Sequence, residues 1–350
     1  MHTPEIDRIC STVTTLLLQA DTPLIITSQP VDPDCIGTGL ALRWWLAQQS
    51  RQVKARVVSF YRIPHELSSF PDIACIDSAE AASFDFTPYD LLILVDGGDW
   101  SQFLGPRWQE VLTRLENKTI ISLDHHEPGA IQAAIPERCL RAITSSTAQL
   151  LHELIIKPSS IALTNTAAEY LYLALLYDSR CFRNEIHAGQ FSFAQELIDA
   201  GIDHNSCIDK NYDIREVRFM AWAIEHTRYM PELQLTMLVV DKETQQDLHT
   251  LFGERWSDFD KPYKEQVERQ ISGYNYGIIL IDNLDGSIKL GWRTRNYGNH
   301  ASIGDVARSA GFTAGGHRNA GGGKFSGSLT EAQARLLDAL TQELSKQQPT

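Results

Sequence analysis

The sequence predicts an α/β protein of two domains, an N-terminal one built on a parallel sheet and a smaller, also α/β, C-terminal one. Three observations carry that prediction. Through the first half, short continuous apolar runs alternate with segments of helical spacing, the pattern of a parallel sheet covered on both faces. The 350 residues, 43% of them hydrophobic, exceed the roughly 250 to 300 at which one core usually splits in two. Strand signals then resume after a helical stretch, near Leu233.

The elements follow in chain order. "PLIITS" (Pro23 to Ser28) reads as a strand, and "GTGLALRWWLAQQS" (Gly37 to Ser50) sets Leu40, Leu42, Trp44, Trp45 and Leu46 at helical spacing. "VKARVVSF", "DLLILVDGG" and "TIISLDHH" supply three more strands, with the helical "RWQEVLTRLENK" between the last two. From Ser146 to Asp178 the chain reads as mainly helical, and Asp178 ends a long apolar face. The helical segments "FAQELIDAGI" and "REVRFMAWAIEHTRYM" bridge the domains, giving expected boundaries of 1–190, 191–230 for the linker, and 231–350. "LQLTMLVV" is a strand and "GYNYGIILIDNLDGSIKLGWRTR" a hairpin turning at Asp285-Gly286. "AGGHRNAGGGKFSG" reads as a glycine-rich loop before a last helix, "TEAQARLLDALTQELSK". There is no internal repeat.

A formal net charge of −13 argues against a protein that coats long duplex nucleic acid, because such binding rests on neutralising many phosphates. A small anionic ligand in a locally basic pocket fits the charge. Cys10, Cys35, Cys75, Cys139, Cys181 and Cys207 form no CxxC pair, which suits buried thiols in a reducing compartment better than a disulfide framework. The start "MHTPEIDRIC" has no basic stretch leading into an apolar core, and no run reaches about 18 apolar residues. The expectation is a cytoplasmic protein with no membrane partner, and base rates favour a homodimer.

Acidic clusters fall where strands end, and ligands of such sheets sit at the carboxyl ends of strands. "VDPDCIGTG" follows the first strand, "VDGGDW" ends "DLLILV", and "LDHH" ends "TIIS". Asp32, Asp34, Asp96, Asp124, His125, His126 and Asp178 are the informative residues. Each has a plain reading: a turn for "DPD", a helix cap for Asp96, a surface loop for "DHH", a helix end for Asp178. Jointly, at converging strand tips, they favour a divalent cation such as Mn²⁺, since carboxylates with imidazole suit that ion. Two ions about 3.5 to 4 Å apart could clamp a phosphoryl group and activate water.

The order of "DPDCIGT", "VDGGD", "LDHH", "YDSRCF" and the distal "GGHRNAGG" resembles the DHH phosphoesterase superfamily, in the subgroup with a DHH-associated C-terminal domain. The resemblance covers nearly the whole chain. It implies a Mn²⁺-dependent hydrolase, with Mg²⁺ an alternative, whose active-site cleft lies between the domains. Its substrates would be short oligonucleotides or small nucleotides, of the nanoRNA, linear dinucleotide or pAp type. It makes Asp96 the bridging carboxylate, gives Asp34, His125 and Asp178 to the second metal, and gives Asp32 to the first. It sets His126 at the scissile phosphate and makes Asp124 the partner that orients the histidine pair. Two other readings stay open: a nucleotide-sensing protein that has lost catalysis, and a pyrophosphatase or polyphosphatase of the superfamily.

"SQPVDPD" puts Ser28 where the family's first motif has histidine and Val31 where it has proline. The first metal therefore keeps Asp32 and Asp96 as protein ligands, which predicts weak or absent occupancy there. Ser179-Arg180 replaces the usual Thr-Gly after Asp178. Towards the C-terminus, Lys289, Arg293, Arg295, Arg308, Arg318 and Lys324 stand against the acidic average. By resemblance, Gly315, Gly316, His317 and Arg318 hold the far end of the substrate, and Arg293 and Arg295 line its approach.

Overall fold

The structure, a computed structural model, describes residues 3–49, 53–183, 186–208, 213–254, 256–260, 263, 264, 267, 270–295, 301–317 and 319–347, and of 316, 317 and 347 the backbone only. The chain divides into two compact units, Met1–Lys210 and Asn211–Thr350.

The first unit runs α1 (Pro4–Gln19), β1 (Pro23–Thr27), α2 (Pro33–Ala47), β2 (Arg56–Ser59), β3 (Ile76–Ser78), β4 (Leu91–Val95), α3 (Trp100–Leu104), α4 (Trp108–Thr113), β5 (Thr119–Asp124), α5 (Ala130–Ala134), β6 (Cys139–Arg141), α6 (Thr147–Leu151), α7 (Asn165–Asp178), α8 (Ala188–Asp199) and α9 (His204–Ile208). All six strands are parallel, in the order β3-β2-β1-β4-β5-β6. The edge strands β3 and β6 are three residues each, too short to stand out in the sequence. Every residue of β1 and β4 is buried, which is why these strands read as unbroken apolar runs: helices cover both faces. The order reverses between β1 and β4, so a crevice opens at their carboxyl ends. Thr27 pairs with Val95, so the loops that leave the two strands start level with each other.

The segment "DPD" is more than a turn. Asp32 caps α2, its Oδ1 accepting from the N–H groups of Asp34 (3.0 Å) and Cys35 (3.1 Å), and Pro33 fills the first helical position, where its missing N–H costs nothing. Asp34 thus sits in the first turn. From Asp34 to Leu42 every residue of α2 is buried, because this helix lies among other helices and the sheet and has no solvent face. Its close neighbour is α7: a Cβ on Gly37 would stand less than 3.0 Å from the Tyr170 carbonyl oxygen and 3.2 Å from Ala174 Cβ.

The second unit runs α10 (Ile214–His226), β7 (Arg228–Met230), β8 (Leu235–Val240), α11 (Lys242–Phe252), β9 (Tyr276–Asp282), β10 (Ser287–Thr294), α12 (Ile303–Ser309), β11 (Thr313–His317), β12 (Ala320–Ser326) and α13 (Leu329–Gln347). Its sheet has the order β11-β12-β10-β9-β8-β7, antiparallel except for β8 against β9. Trp292, Leu290 and Ile278 on one face pack with Val306 of α12 and Leu336 of α13. On the other face, Ile279 and Ile281 pack with Phe219 of α10 and Leu248 of α11.

Two expectations are corrected here. "AGGHRNAGGG" is no loop but the paired strands β11 and β12. A Cβ on Gly321 would fall less than 3.0 Å from the Trp292 ring and from the Gly315 carbonyl oxygen, so this glycine serves close packing within a sheet. The helix expected through "REVRFMAWAIEHTRYM" stops at His226, and Arg228–Met230 pairs as an edge strand with β8. No helix among the described residues is long and apolar enough to cross a membrane.

Candidate metal centre

Four side chains from four separate elements meet at the reversal between β1 and β4. Asp34 comes from the first turn of α2, Asp96 from the residue after β4, His125 from the residue after β5, and Asp178 from the last turn of α7. His125 Nε2 lies 3.3 Å from Asp178 Oδ2, 3.7 Å from Asp96 Oδ1 and 3.8 Å from Asp34 Oδ2. Its other nitrogen, Nδ1, is 3.2 Å from the Thr144 carbonyl oxygen. A carbonyl can only accept, so Nδ1 carries the proton and a neutral ring turns its Nε2 lone pair towards the carboxylates.

That arrangement repels itself unless a cation fills it. Burial first, then the charges of Asp34, Asp32 and Asp178, push the Asp96 carboxyl well above the usual range. Burial, then Asp34 and Asp32, do the same to Asp178, and the nearby Arg180 charge opposes that rise. Burial lowers His125, and Asp34 only partly offsets it. Asp178 Oδ2 is shut away from solvent and has no hydrogen-bond partner among the described residues. Crowded carboxylates and an imidazole lone pair are stabilised either by taking up protons or by a divalent ion, and the donor set of two oxygens and one nitrogen at Asp34, His125 and Asp178 fits the ion. Asp96, His125 and His126 form a second such group, and Asp32, Cys35 and Asp96 a third, with ligand atoms in each within 4.8 Å of one another.

The surrounding chain holds these groups in place. Asp34 is fully buried and accepts from the N–H groups of Thr147 (2.7 Å) and Ala148 (3.0 Å) at the start of α6, and from Thr38 Oγ1 (3.3 Å). Thr147 Oγ1 donates to Asp96 Oδ1 at 2.8 Å. Asp96 adopts φ +70, a left-handed backbone that aspartate tolerates better than most residues and that recurs at functional sites. Beyond it, Gly98 of "VDGGD" and the Gly of "HHEPG" touch: a Cβ on Gly129 would meet Gly98 backbone at less than 3.0 Å, so the loops after β4 and β5 come this close only with glycine at position 129.

Asp124 bonds one histidine of the pair. Its Oδ1 accepts from His126 Nδ1 at 2.8 Å and from the His126 N–H at 3.2 Å, whereas Thr144 orients His125. Burial pulls His126 down, but the Asp124 hydrogen bond and charge outweigh it, so the imidazole stays protonated to higher pH than usual. Conversely, burial raises Asp124, and the bond to His126 more than reverses that. Arg141 Nε also donates to the His126 carbonyl oxygen.

Sequence reasoning passed over Cys35, Thr144, Thr147 and Ala148. Cys35 stood in plain view beside Asp34 in "DPDC". The other three act through backbone groups or a hydroxyl, and their only sequence signal was the helix-start pattern "TSSTAQ".

In the second unit, Arg293 shares a face of β10 with Lys289 and Gly291, as strand alternation requires. Lys264, nearly buried, lies across that face: its Nζ would be 3.3 Å from a Cβ on Gly291 and is 2.9 Å from Asp260 Oδ2. Arg295 Nη2 donates to the Ile271 carbonyl oxygen at 2.6 Å. Gly315 is exposed on β11. The exposure of Gly316, the side chain of His317 and all of Arg318 lie outside the described residues.

A doubly wound sheet with carboxylates and imidazole at its switch point defines a class, α/β folds with a candidate metal centre. Residues 23–175, all within the first unit, match the DHH family, N-terminal domain. The chain is similar along its length to an exopolyphosphatase-related protein from Bacteroides fragilis, with a TM-score of 0.79 and 19% identity over 97% of this chain and 98% of that one. A pGpG-specific phosphodiesterase from Vibrio cholerae gives a TM-score of 0.39 and 12% identity over 93% of this chain and 99% of that one. No curated protein matches the chain.

Proposed function

We propose that this protein is a metal-dependent phosphoesterase that hydrolyses short oligonucleotides or small nucleotides in the cytoplasm, with Mn²⁺ as the ion of the second site. The observation that carries the reading is the convergence of Asp34, Asp96 and Asp178 on the Nε2 lone pair of His125. Asp34, His125 and Asp178 would hold one ion, Asp96 would bridge to the other, and Asp32 would serve that other ion. Divalent ions in such a site polarise a phosphoryl oxygen and acidify water. His126 gives its Nδ1 proton to the bond with Asp124, whose charge keeps the ring protonated, so its Nε2 proton would be available to an oxygen that gains charge as a P–O bond breaks. In the second unit, Lys289 and Arg293 on one face of β10, with Lys264 across it paired to Asp260, support a role in holding a phosphate, and Arg295, Gly315, Gly316, His317 and Arg318 belong to the same proposal.

The test is a substrate panel of pAp, linear dinucleotides, short oligoribonucleotides and cyclic dinucleotides, each incubated with Mn²⁺, Mg²⁺ or chelator and followed by product analysis. Phosphate or mononucleotide release that chelation abolishes is the expected result. Tight metal binding with ligand-induced thermal stabilisation and no product from any substrate would replace the enzyme with a nucleotide sensor.

A further inference from the structure

The third ligand group stands apart because it contains a thiol. Cys35 Sγ, an Asp32 carboxylate oxygen and an Asp96 carboxylate oxygen lie within 4.8 Å of one another, a spread that one cation can span. Cys35 is fully buried in the first turn of α2. Its Sγ sits 3.3 Å from the Asp32 N–H nitrogen and 3.9 Å from the Ser28 carbonyl oxygen, on the side of the cluster where the buried Ser28 brings only a neutral hydroxyl. Asp96 belongs to this group and also to the group with His125 and His126, so the thiol borders a cluster that already calls for a cation.

We infer that Cys35 is the third protein ligand of the first metal site, beside Asp32 and Asp96. This rests on the metal-dependent reading above and changes its detail. On binding, the S–H bond breaks, a sulfur–metal bond forms, and the proton leaves to solvent. A thiolate is softer than a carboxylate or imidazole, so this site selects Zn²⁺, Co²⁺ or Fe²⁺ over Mn²⁺ and Mg²⁺. Asp34, His125 and Asp178 offer two oxygens and one nitrogen and keep a harder preference. The two halves of the centre therefore differ in the metal they take, a consequence of one cysteine in "DPDC". If instead the thiol only caps the helix, its exchange for serine leaves the metal untouched.

The experiment is an anaerobic Co²⁺ titration of the full-length apo protein, wild type, Cys35→Ser, Cys35→Ala and Asp178→Asn, read by absorption and by equilibrium dialysis. The wild type is expected to bind two equivalents, one of them producing a sulfur-to-cobalt charge-transfer band in the near ultraviolet that Zn²⁺ bleaches. Both Cys35 variants lose the band and bind one equivalent fewer, while Asp178→Asn keeps the band and loses the other equivalent. Comparing the urea midpoints of the apo forms separates ligand loss from misfolding, and Cys35→Ser, which keeps the side chain's size, guards against a void. Two equivalents without a band, or a band that survives in Cys35→Ser, overturns the Cys35 assignment and leaves the metal-dependent reading standing. No Co²⁺ uptake by the wild type overturns both.

Discussion

Gly37 offers the sharpest test of how the fold builds the centre. It lies one turn beyond Asp34 on α2, and it faces Tyr170 and Ala174, which lie two turns and one turn before Asp178 on α7. Residues spaced by three and four share a helix face, so the contact at Gly37 and the approach of the two carboxylates are set by the same helix pair. In Gly37→Ala, the new Cβ moves from under 3.0 Å to the ordinary 3.4 Å from Tyr170 O only if the helices part by about 1 Å. That exceeds the roughly 0.5 Å within which a ligand constellation must be held. Overpacking costs about 1 to 3 kcal/mol, offset by the roughly 1 kcal/mol that alanine gains over glycine in a helix, leaving a net loss of about 0 to 2 kcal/mol. Gly39→Ala on the same helix is the control, since its Cβ would meet side-chain methyls of Val57, Ile25 and Thr27, at 3.3, 3.5 and 3.8 Å, and no backbone atom at closer range. Urea unfolding and calorimetric Mn²⁺ titration of both variants provide the readout. Gly37→Ala should bind Mn²⁺ about 10- to 100-fold more weakly, the range that follows when groups orienting metal ligands are disturbed, while Gly39→Ala stays near wild type. Wild-type Mn²⁺ affinity in a destabilised Gly37→Ala protein would show that Asp34 and Asp178 do not share an ion.

Two further outcomes follow from the same geometry. Asp124→Asn removes the charge that holds the His126 proton, so any metal-dependent hydrolysis should fall about 10- to 100-fold with metal stoichiometry retained; loss of metal instead would place Asp124 in the coordination sphere. His152 is 3% exposed, packs on Phe193, and is lowered from 6.5 to about 4 by burial, with Glu196 opposing. The folded state therefore prefers the neutral ring: its contribution is complete above pH 6.5 and is lost as pH falls towards 4, by about 3 kcal/mol at most. His152→Phe should flatten that part of the stability curve, measured by urea midpoints at pH 7 and pH 4.5, and parallel curves for the two proteins would refute the buried-neutral assignment.

What was legible in the sequence was whatever depends on local pattern. The buried strands β1, β4 and β5 announced themselves as apolar runs because both their faces are covered, and the acids at their ends were conspicuous because desolvated charge is rare without compensation. The edge strands β3 and β6 escaped because three residues carry no periodicity. The strands β11 and β12 escaped because their composition mimics a loop, and only the neighbouring Trp292 ring and Gly315 carbonyl oxygen explain the need for glycine at position 321. Within the site, the same division holds. Aspartate and histidine declare their chemistry by type, whereas the carbonyl of Thr144 and the N–H groups of Thr147 and Ala148 act through atoms that every residue possesses.

Cys35 falls between these cases. By type it reads as a small buried hydrophobe, as most cysteines are, and no partner cysteine marks it as a ligand. Its position decides otherwise: one residue past Asp34 in a capped first turn, it shares the helix start with Asp32 and looks across at Asp96. A helix that begins with aspartate, proline, aspartate and cysteine delivers three potential ligands within one turn, and the turn's geometry sends two carboxylates to different halves of the cluster. The metal preference of the centre is then set less by the aspartates that reveal it than by the residue between the second of them and the first apolar turn.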